Sequence, residues 1–153
     1  MRDLVLTQKD FAEMLREVVS PGGCIAFRAQ GQSMAPFICD GDRVTVRRFG
    51  GRVRRGDVVL TEVAPGNLLL HRVIGAGPGG IVTRGDALCA RDGGTVPYER
   101  VLGRAVRLEG RGYNFHLRRP FGLFVALLRF VPATLRSRRW LSGLSRKVCA
   151  LLG

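Results

Sequence analysis

The chain has 153 residues, with 25 Lys and Arg against 12 Asp and Glu, so its formal net charge is +13. This length suits one domain, and a hydrophobic content of 46% is enough to build a core. The four cysteines form no C-x-x-C pair, which argues against zinc, and the charges near the start argue against a secretory signal peptide. We therefore expect free thiols in a reducing compartment, with neither a metal nor a cofactor.

The first predicted element is an amphipathic helix within residues 1–22. Thr7 can cap its start, and Asp10 lies three residues further on, as in a weaker variant of the capping box. The turn-forming sequence SPGG at residues 20–23 ends the helix. Its apolar residues recur at helical spacing, and they are Phe11, Met14, Leu15 and Val18.

Residues 23–112 predict a domain built from short strands. Each apolar, often valine-rich run is bounded by Gly, Pro or Asp, which favour turns. The glycine-rich segment at 75–80 lacks the Lys-Ser end of a phosphate-binding loop and is interpreted as a hairpin turn. The predicted strands are Ile25–Ala29, Arg43–Arg48, Asp57–Val63, Leu68–Ile74, Ile81–Arg84 and Val101–Leu108.

Residues 113–153 form the most basic segment, with eight Lys and Arg and no Asp or Glu. Phe121 to Val131 is strongly apolar, but its eleven residues are fewer than the roughly twenty that a membrane-spanning helix needs. A second stretch places Trp140 and several leucines at helical spacing among arginines, a pattern typical of a helix in a membrane interface. We expect a basic helical tail that either binds an anionic membrane surface or packs on the β-domain as a hairpin of helices.

Ser33 and His71 are the candidate nucleophile and base. Ser33 lies in GQSMAPFI, a stiff corner of small residues that is either a simple turn or a mount for a reactive hydroxyl. His71 ends the apolar run NLLLH; a lone histidine in a strand is usually structural, yet imidazole is the natural base for a serine hydroxyl at neutral pH. His116 lies in the basic tail and is expected at the surface. The two lysines, Lys9 and Lys147, lie in the helix and the tail, which excludes a lysine base.

Asp86 and Asp92 are candidates for the group that orients His71. They lie six residues apart in VTRGDALCARDGG, and an acid beside the ring would hold one tautomer and stabilise the imidazolium. One follows a glycine and the other precedes one, so turns explain both acids without any chemistry. The local sequence leaves open whether either acid faces the histidine.

Five segments stand in the order found in the signal peptidase I superfamily of signal peptidase and LexA-like serine peptidases. They are GQSMAPFICDGDRVTV, GDVVLTEV, LLHRVIG, VTRGDALCARDG and VLGRAVRL, and they cover about half the chain. The H-R-V-I segment resembles the branch with a histidine base, as in signal peptidase subunits of the endoplasmic reticulum, archaea and some Gram-positive bacteria. The resemblance implies Ser33 as nucleophile and His71 as base, with Asp86 and Asp92 at the places of that branch's two important acids.

The fold that this resemblance implies is a coiled, mostly antiparallel β-domain with an N-terminal helix and a helical, basic C-terminal appendage. The implied activity is that of a serine endopeptidase that cleaves a signal or leader peptide from a peptide or preprotein substrate, with Asp92 or Asp86 orienting the base. Met34 and Pro36 would shape the wall beside the scissile residue. The chain departs from the family pattern where Ala87 replaces the usual Asn after Gly-Asp, and where the first residues resemble a soluble helix rather than a membrane anchor.

Two other functions are compatible with parts of the sequence. A LexA-like domain that cleaves itself, or only senses, usually has a helix-turn-helix before the serine segment and a lysine base, and we expect neither here. A binding module whose tail holds nucleic acid needs aromatic residues interleaved with cations, and the tail lacks that pattern. We expect instead a membrane-associated peptidase on the cytoplasmic side, or a cytoplasmic one if the tail packs on the domain.

Overall fold

The structure of the protein is a computed structural model that describes residues 7–17, 22–48, 52–110 and 112–117. Helix α1, Gln8–Glu17, begins where the sequence predicts. The Asp10 backbone N–H donates to Thr7 Oγ1 at 3.2 Å, and this hydroxyl donates to the Asp10 carboxylate at 2.6 Å. The cap therefore satisfies one of the N–H groups that a helix start leaves without a partner.

The inner face of α1 packs on the sheet. Ala12 and Leu15 are each 1% exposed, and the Phe11 ring meets the edge of Phe27 with their centroids 5.1 Å apart. These contacts confirm the predicted amphipathic helix over its described length. Val18, expected on the same face, lies outside the described residues.

Seven strands follow α1, all paired antiparallel, which confirms a mostly β fold with one N-terminal helix. Six of them are the predicted strands, with small shifts at their ends. A short 3₁₀ helix, Tyr98–Arg100, precedes β6. The strands are β1 Cys24–Arg28, β2 Arg43–Arg48, β3 Val58–Ala64, β4 Asn67–Gly77, β5 Gly80–Arg84, β6 Val101–Gly110 and β7 Tyr113–His116.

The strands form one sheet in the order β1-β2-β6-β3-β4-β5, with β7 beside β6. The long strand β6 connects its parts, because it pairs with β2, β3 and β7. The register shifts within the β2–β6, β3–β4, β3–β6 and β4–β5 pairs. Such irregularities increase the local twist of a sheet and redirect side chains.

Strand β7 lies where the helical tail was expected to begin. Tyr113 pairs with Gly110 and His116 with Arg107, and the Leu117 N–H donates to the carbonyl of residue 106 at 2.9 Å. The sheet therefore continues past residue 112, and the expectation of a helical tail is wrong for its first residues. The rest of that segment, 118–153, lies outside the described residues. Among the helices that the structure describes, none is long and apolar enough to cross a membrane.

Apolar side chains pack against both faces of the sheet. One face, which α1 covers, holds a cluster that includes Val44, Val46 and Leu60. The other face holds a smaller cluster that includes Val59 and Val73. Because neighbouring residues of a strand point to opposite faces, β3 and β4 are covered on both sides at their centre. This places the middle of β4 in a setting from which water is largely excluded.

Candidate active site

Ser33 lies in the loop between β1 and β2. The Gly41 N–H donates to the Ala29 carbonyl at 2.8 Å, and the Gly31 N–H donates to Asp40 Oδ1 at 2.8 Å. Gly31 and Gly41 have φ values of 89° and 84°, a left-handed conformation that glycine adopts without steric cost. Ser33 is therefore mounted on a turn that its own loop holds by hydrogen bonds.

The turn that bears Ser33 is anchored in the core beneath it. Met34 is 4% exposed and Ile38 2%, and the Met34 carbonyl accepts hydrogen bonds from the N–H groups of Phe37 and Ile38. Met34 thus supports the turn from inside, whereas Pro36 is exposed. Of these two predicted substrate-binding residues, only Pro36 presents its side chain freely to solvent, and the contact of either with a substrate stays a prediction.

His71 lies in the middle of β4, opposite Val59 of β3. Its side chain is 5% exposed. The ring has one partner at each nitrogen: Nε2 is 3.0 Å from Ser33 Oγ, and Nδ1 is 2.6 Å from Asp92 Oδ2. The structure therefore brings three of the four predicted catalytic residues into one hydrogen-bonded chain.

Asp92 reaches the histidine from the segment that follows β5. Its Oδ2 also accepts a hydrogen bond from the Thr83 hydroxyl at 2.7 Å, and its backbone N–H donates to the Thr83 carbonyl at 2.9 Å. The carboxylate is thus bound from two directions. A carboxylate accepts the Nδ1 proton of His71, which leaves Nε2 to accept the Ser33 hydroxyl proton; this tautomer follows from the hydrogen-bond network. It is the tautomer that a general base requires.

Asp86, the other predicted acid, binds Arg72 instead of His71. Its two carboxylate oxygens accept hydrogen bonds from Arg72 Nε at 2.8 Å and from the second guanidinium nitrogen at 2.6 Å, and both side chains are 4% exposed. Arg72 donates a third hydrogen bond to the Gly56 carbonyl at 2.9 Å. Asp92 is therefore the acid placed to orient the ring. The prediction of a catalytic role for Asp86 is corrected, because Asp86 is the partner of a buried guanidinium.

The turn after β5 touches the backbone of Ser33. The Ala87 N–H donates to the Ser33 carbonyl at 2.9 Å, and a Cβ atom at Gly85 would lie 2.6 Å from that carbonyl oxygen. Any side chain at residue 85 would therefore push the turn and the serine apart. Asp86 lies between these two contacts, so its bond to Arg72 helps to position Ser33 through the backbone. Ala87 makes its contact with a backbone N–H, so the contact does not require the usual Asn.

Sequence patterns do not reveal the parts that Thr83, Gly85 and Arg72 take in this site. Arg72 carries the only usable signal, because it follows His71 directly and Asp86 is an acid without an assigned partner. Threonine is common in strands, so its residue type does not indicate that Thr83 binds Asp92. The closeness of Gly85 to Ser33 depends on how two distant loops meet.

Cys39 lies in the serine loop but outside the hydrogen-bonded chain. Burial, assisted by the negative charge of Asp42, raises the pKa of the Cys39 thiol above its ordinary value. A raised pKa keeps the thiol protonated at neutral pH, so Cys39 is a poor nucleophile. Cys24 and Cys89 are exposed free thiols, and Cys149 lies outside the described residues. In the described ranges, no group of three or more His, Cys, Asp or Glu side chains is placed to hold a metal ion.

The family profile described as Peptidase S24-like matches residues 4–81, slightly more than half of the chain. The chain belongs to the Peptidase S24-like family. This membership confirms the resemblance to the superfamily of LexA-like and signal peptidase I serine peptidases. Members of the family are in general serine peptidases, although some are not catalytic. The match includes Ser33 and His71 and ends before Asp86 and Asp92, and no curated protein matches the chain.

Proposed function

We propose that this Peptidase S24-like protein is a serine endopeptidase of the signal peptidase type that cleaves a signal or leader peptide from a preprotein. The observation that carries the proposal is the hydrogen-bonded chain from Ser33 through His71 to Asp92, with spacings of 3.0 and 2.6 Å. A histidine held between a serine hydroxyl and a carboxylate is the arrangement that activates a serine nucleophile.

The proton path follows from the bonds of the histidine ring. Ser33 Oγ attacks the scissile carbonyl carbon while His71 Nε2 takes the hydroxyl proton. Asp92 stabilises the resulting imidazolium, which then gives the proton to the leaving amine, and an acyl-enzyme remains on Ser33. Water, deprotonated in turn by His71, attacks the ester, and the serine regains its proton as the acid is released.

The developing oxyanion needs hydrogen-bond donors, and the serine turn offers them. The backbone N–H groups of Ser33 and Met34 have no acceptor within the part of the chain that the structure describes. We assign the Ser33 N–H to the oxyanion, where one such donor contributes about 3 kcal/mol to transition-state stabilisation. Both donors lie on the turn that the core fixes through Met34, so they need little reorganisation during the reaction.

The substrate would bind as an extended strand. In the described sheet β1 pairs only with β2, so the other edge of β1 has its backbone groups available just before the serine loop. An added strand gains main-chain hydrogen bonds there, and small pockets near Ser33 would select small residues. Pro36 is the exposed wall residue of this arrangement.

The choice of a signal or leader peptide, and of the histidine-base branch, rests on the segment HRVIG around His71. The basic residues 113–153 support a place at the anionic surface of a membrane, on its cytoplasmic side, where preproteins pass. Nucleic acid is not a partner in this proposal, because the tail lacks interleaved aromatics.

The test uses purified full-length protein and a peptide library made by digesting a whole proteome. Wild-type protein should create new peptide ends, with small residues before the cut, and mass spectrometry would read them. Ser33→Ala and His71→Ala should each create none while keeping the melting temperature of the wild type. New ends that persist with Ser33→Ala would exclude the proposal.

The same samples distinguish a self-cleaving LexA-like domain. Such a domain would shorten its own chain, so intact mass would fall with time in the wild type but not in Ser33→Ala, and the library would stay uncut. A peptidase acting on other chains would cut the library and keep its own intact mass.

A further inference from the structure

Five arginines lie on one face of strands β1, β2 and β6, and we call them the arginine face. Residues directly opposite each other on antiparallel strands point to the same side of a sheet, so the register assigns these residues to rows. Read from β1 through β2 to β6, the rows are Arg28–Arg43–Glu109, Ala26–Thr45–Arg107 and Cys24–Arg47–Arg104.

The acids on this side do not balance the arginines. Glu109 lies 3.6 Å from Arg43 and 3.1 Å from Arg107, so one carboxylate serves two guanidinium groups. Arg104 is 3.7 Å from Asp57. Exposed pairs at these distances contribute little to stability, and they leave the arginines free to meet another anion. Two carboxylates therefore face five guanidinium groups.

Arg47 lies at the centre of this excess positive charge. It is exposed, and within the described ranges no carboxylate forms an ion pair with it. The loop that leads from β2 to β3 adds Arg54 and Arg55, both exposed and close in sequence to Asp57.

The opposite face of the same strands is occupied by the core. Val44 and Val46 alternate with the arginines of β2, are fully buried, and pack in the cluster that includes α1. Along β1 and β2 the two faces therefore differ: one is closed by apolar packing, and the other presents charged ends to solvent. A surface of this kind is suited to a broad anionic partner.

The arginine face lies on the same side of the sheet as the proposed base. Arg104 pairs with Val59, and Val59 pairs with His71, so these three residues point the same way. Two strand spacings separate Arg104 from His71, which is about 10 Å. A partner bound to the arginine face therefore lies beside the serine site.

We infer that the arginine face docks this protein on a leaflet of anionic phospholipid, with the serine site held at the membrane surface. The rows across β1, β2 and β6 contain small residues between the arginines and no aromatic ring, and β7 adds a single imidazole, His116 opposite Arg107, rather than the interleaved aromatics on which successive bases stack. The chain leaves the sheet at β7, beside β6, and continues into residues 118–153, which contain eight cations, no acid and long apolar runs. Lipid accounts for the charge of the face and for the apolar sequence that follows it, whereas nucleic acid accounts only for the charge.

This inference adds the folded domain to the membrane contact proposed for the tail, and it does not depend on peptidase activity. A cation near an anionic leaflet contributes about 1 kcal/mol, so removing one should weaken partitioning about fivefold. The full-length chain would be sedimented with vesicles of phosphatidylglycerol and phosphatidylcholine, and with vesicles of phosphatidylcholine alone. Arg47→Gln is the test variant, and Arg47→Gln combined with Arg107→Gln extends the series.

Lys9→Gln is the matched control, because it removes one exposed cation from α1, on the other side of the sheet. We expect about fivefold weaker binding to the anionic vesicles for Arg47→Gln, a larger loss for the double variant, and no change for Lys9→Gln, with equal melting temperatures throughout. Ser33→Ala should bind as the wild type does, which separates this result from the fate of the peptidase proposal.

Three results would overturn the inference. An equal loss for Arg47→Gln and Lys9→Gln would mean that net charge, and not this face, attracts the vesicles. Unchanged binding of the double variant would assign the contact to residues outside the face. A gel-shift series with duplex DNA provides the comparison with nucleic acid: if Arg47→Gln weakens binding to DNA but not to vesicles, the partner is nucleic acid and the inference is wrong.

Discussion

At the scale of single residues, the decisive contact is the one between Asp92 and His71. An aspartate that accepts the Nδ1 proton fixes the tautomer in which Nε2 can take a proton from serine. Thr83 then matters as the group that fixes Asp92, through a hydrogen bond of 2.7 Å to the same oxygen. The proposed site therefore includes a residue that acts by positioning the carboxylate.

Replacing Asp92 with Asn tests whether the Asp92 carboxylate sets the tautomer of His71. The amide can donate to Nδ1 and so favour the wrong tautomer, and we expect kcat to fall by roughly 10³-fold to 10⁴-fold with little change in melting temperature. Thr83→Val removes only the bond that positions the carboxylate, so its loss should be smaller. The measurement is kcat on a peptide identified from the library. A wild-type kcat in Asp92→Asn would reduce the mechanism to Ser33 and His71 alone.

At the scale of elements, the ion pair between Arg72 and Asp86 joins β4 to the turn after β5. That turn touches Ser33 through Ala87 and Gly85, so the pair links the strand of the base to the loop of the nucleophile. The pair is buried, and the guanidinium has additional partners in the Gly56 carbonyl and, at 6.0 Å, the ring of Phe37.

Asp86→Asn should destabilise the fold much more than Asp92→Asn. Removing one charge of a buried pair leaves the other without compensation, which costs about 3–5 kcal/mol. Urea denaturation of both variants would measure the difference in free energy of unfolding. Equal free energies of unfolding for the two variants would show that the pair of Arg72 and Asp86 does not stabilise the fold.

A second link between elements runs from β7 to the serine loop. The Tyr113 hydroxyl donates to Asp42 Oδ2, and the same oxygen accepts the Cys39 N–H at 2.8 Å. The Tyr113 ring lies so close to Gly110 that a Cβ there would overlap it. Strand β7 thus helps to hold the loop that carries Ser33.

Tyr113→Phe removes this hydroxyl and should lower both stability and turnover. We expect a loss of about 1–2 kcal/mol in the free energy of unfolding, because the buried carboxylate loses one donor, and a lower kcat because the serine turn is held less firmly. Tyr98→Phe is the control, since the Tyr98 hydroxyl donates to the Gly77 carbonyl at 2.9 Å in the β4–β5 hairpin. It should keep its kcat and lose less stability, because water can replace the hydroxyl at this exposed carbonyl. Equal kcat values in the two variants would show that β7 does not help to hold the serine loop.

At the scale of the whole molecule, charge and apolar sequence are divided unequally along the chain. Residues 118–153 contain eight of the 25 Lys and Arg and none of the 12 Asp and Glu. The described domain carries the proposed catalytic groups and the arginine face. In our proposal the arginine face and the tail both contact the membrane, whereas the chemistry belongs to the described domain alone.

The contribution of the tail can be measured by its response to salt. Arg138→Gln combined with Arg139→Gln should weaken partitioning to anionic vesicles by up to about thirtyfold. Raising the salt concentration should weaken the wild type in the same direction, because exposed charges are screened, while apolar contacts keep some binding. Binding of this double variant equal to the wild type at low salt would indicate that the tail packs on the domain instead.

Local patterns alone predicted α1 and six of the strands and made Ser33 and His71 candidates, and the resemblance to the signal peptidase I superfamily gave these two residues their roles. These features depend on neighbours in sequence: a threonine cap, helical or alternating apolar spacing, turn residues, and the segments GQSMAPFI and HRVIG. The scarcity of lysine also pointed to a histidine base. None of these inferences requires knowing which strands lie side by side.

Other features were decided only when distant segments met. Asp86 and Asp92 lie in similar turn sequences. Their roles differ because Asp86 binds Arg72 of β4, whereas Thr83 of β5 holds Asp92 toward His71. Strand β7 is too short to show a periodic pattern, and it exists as a strand because its backbone groups pair with β6. The arginine face likewise results from register: the shifts between β2 and β6 determine which side chains share a side, and pairing across a sheet is set by packing and bulges rather than by the composition of either strand.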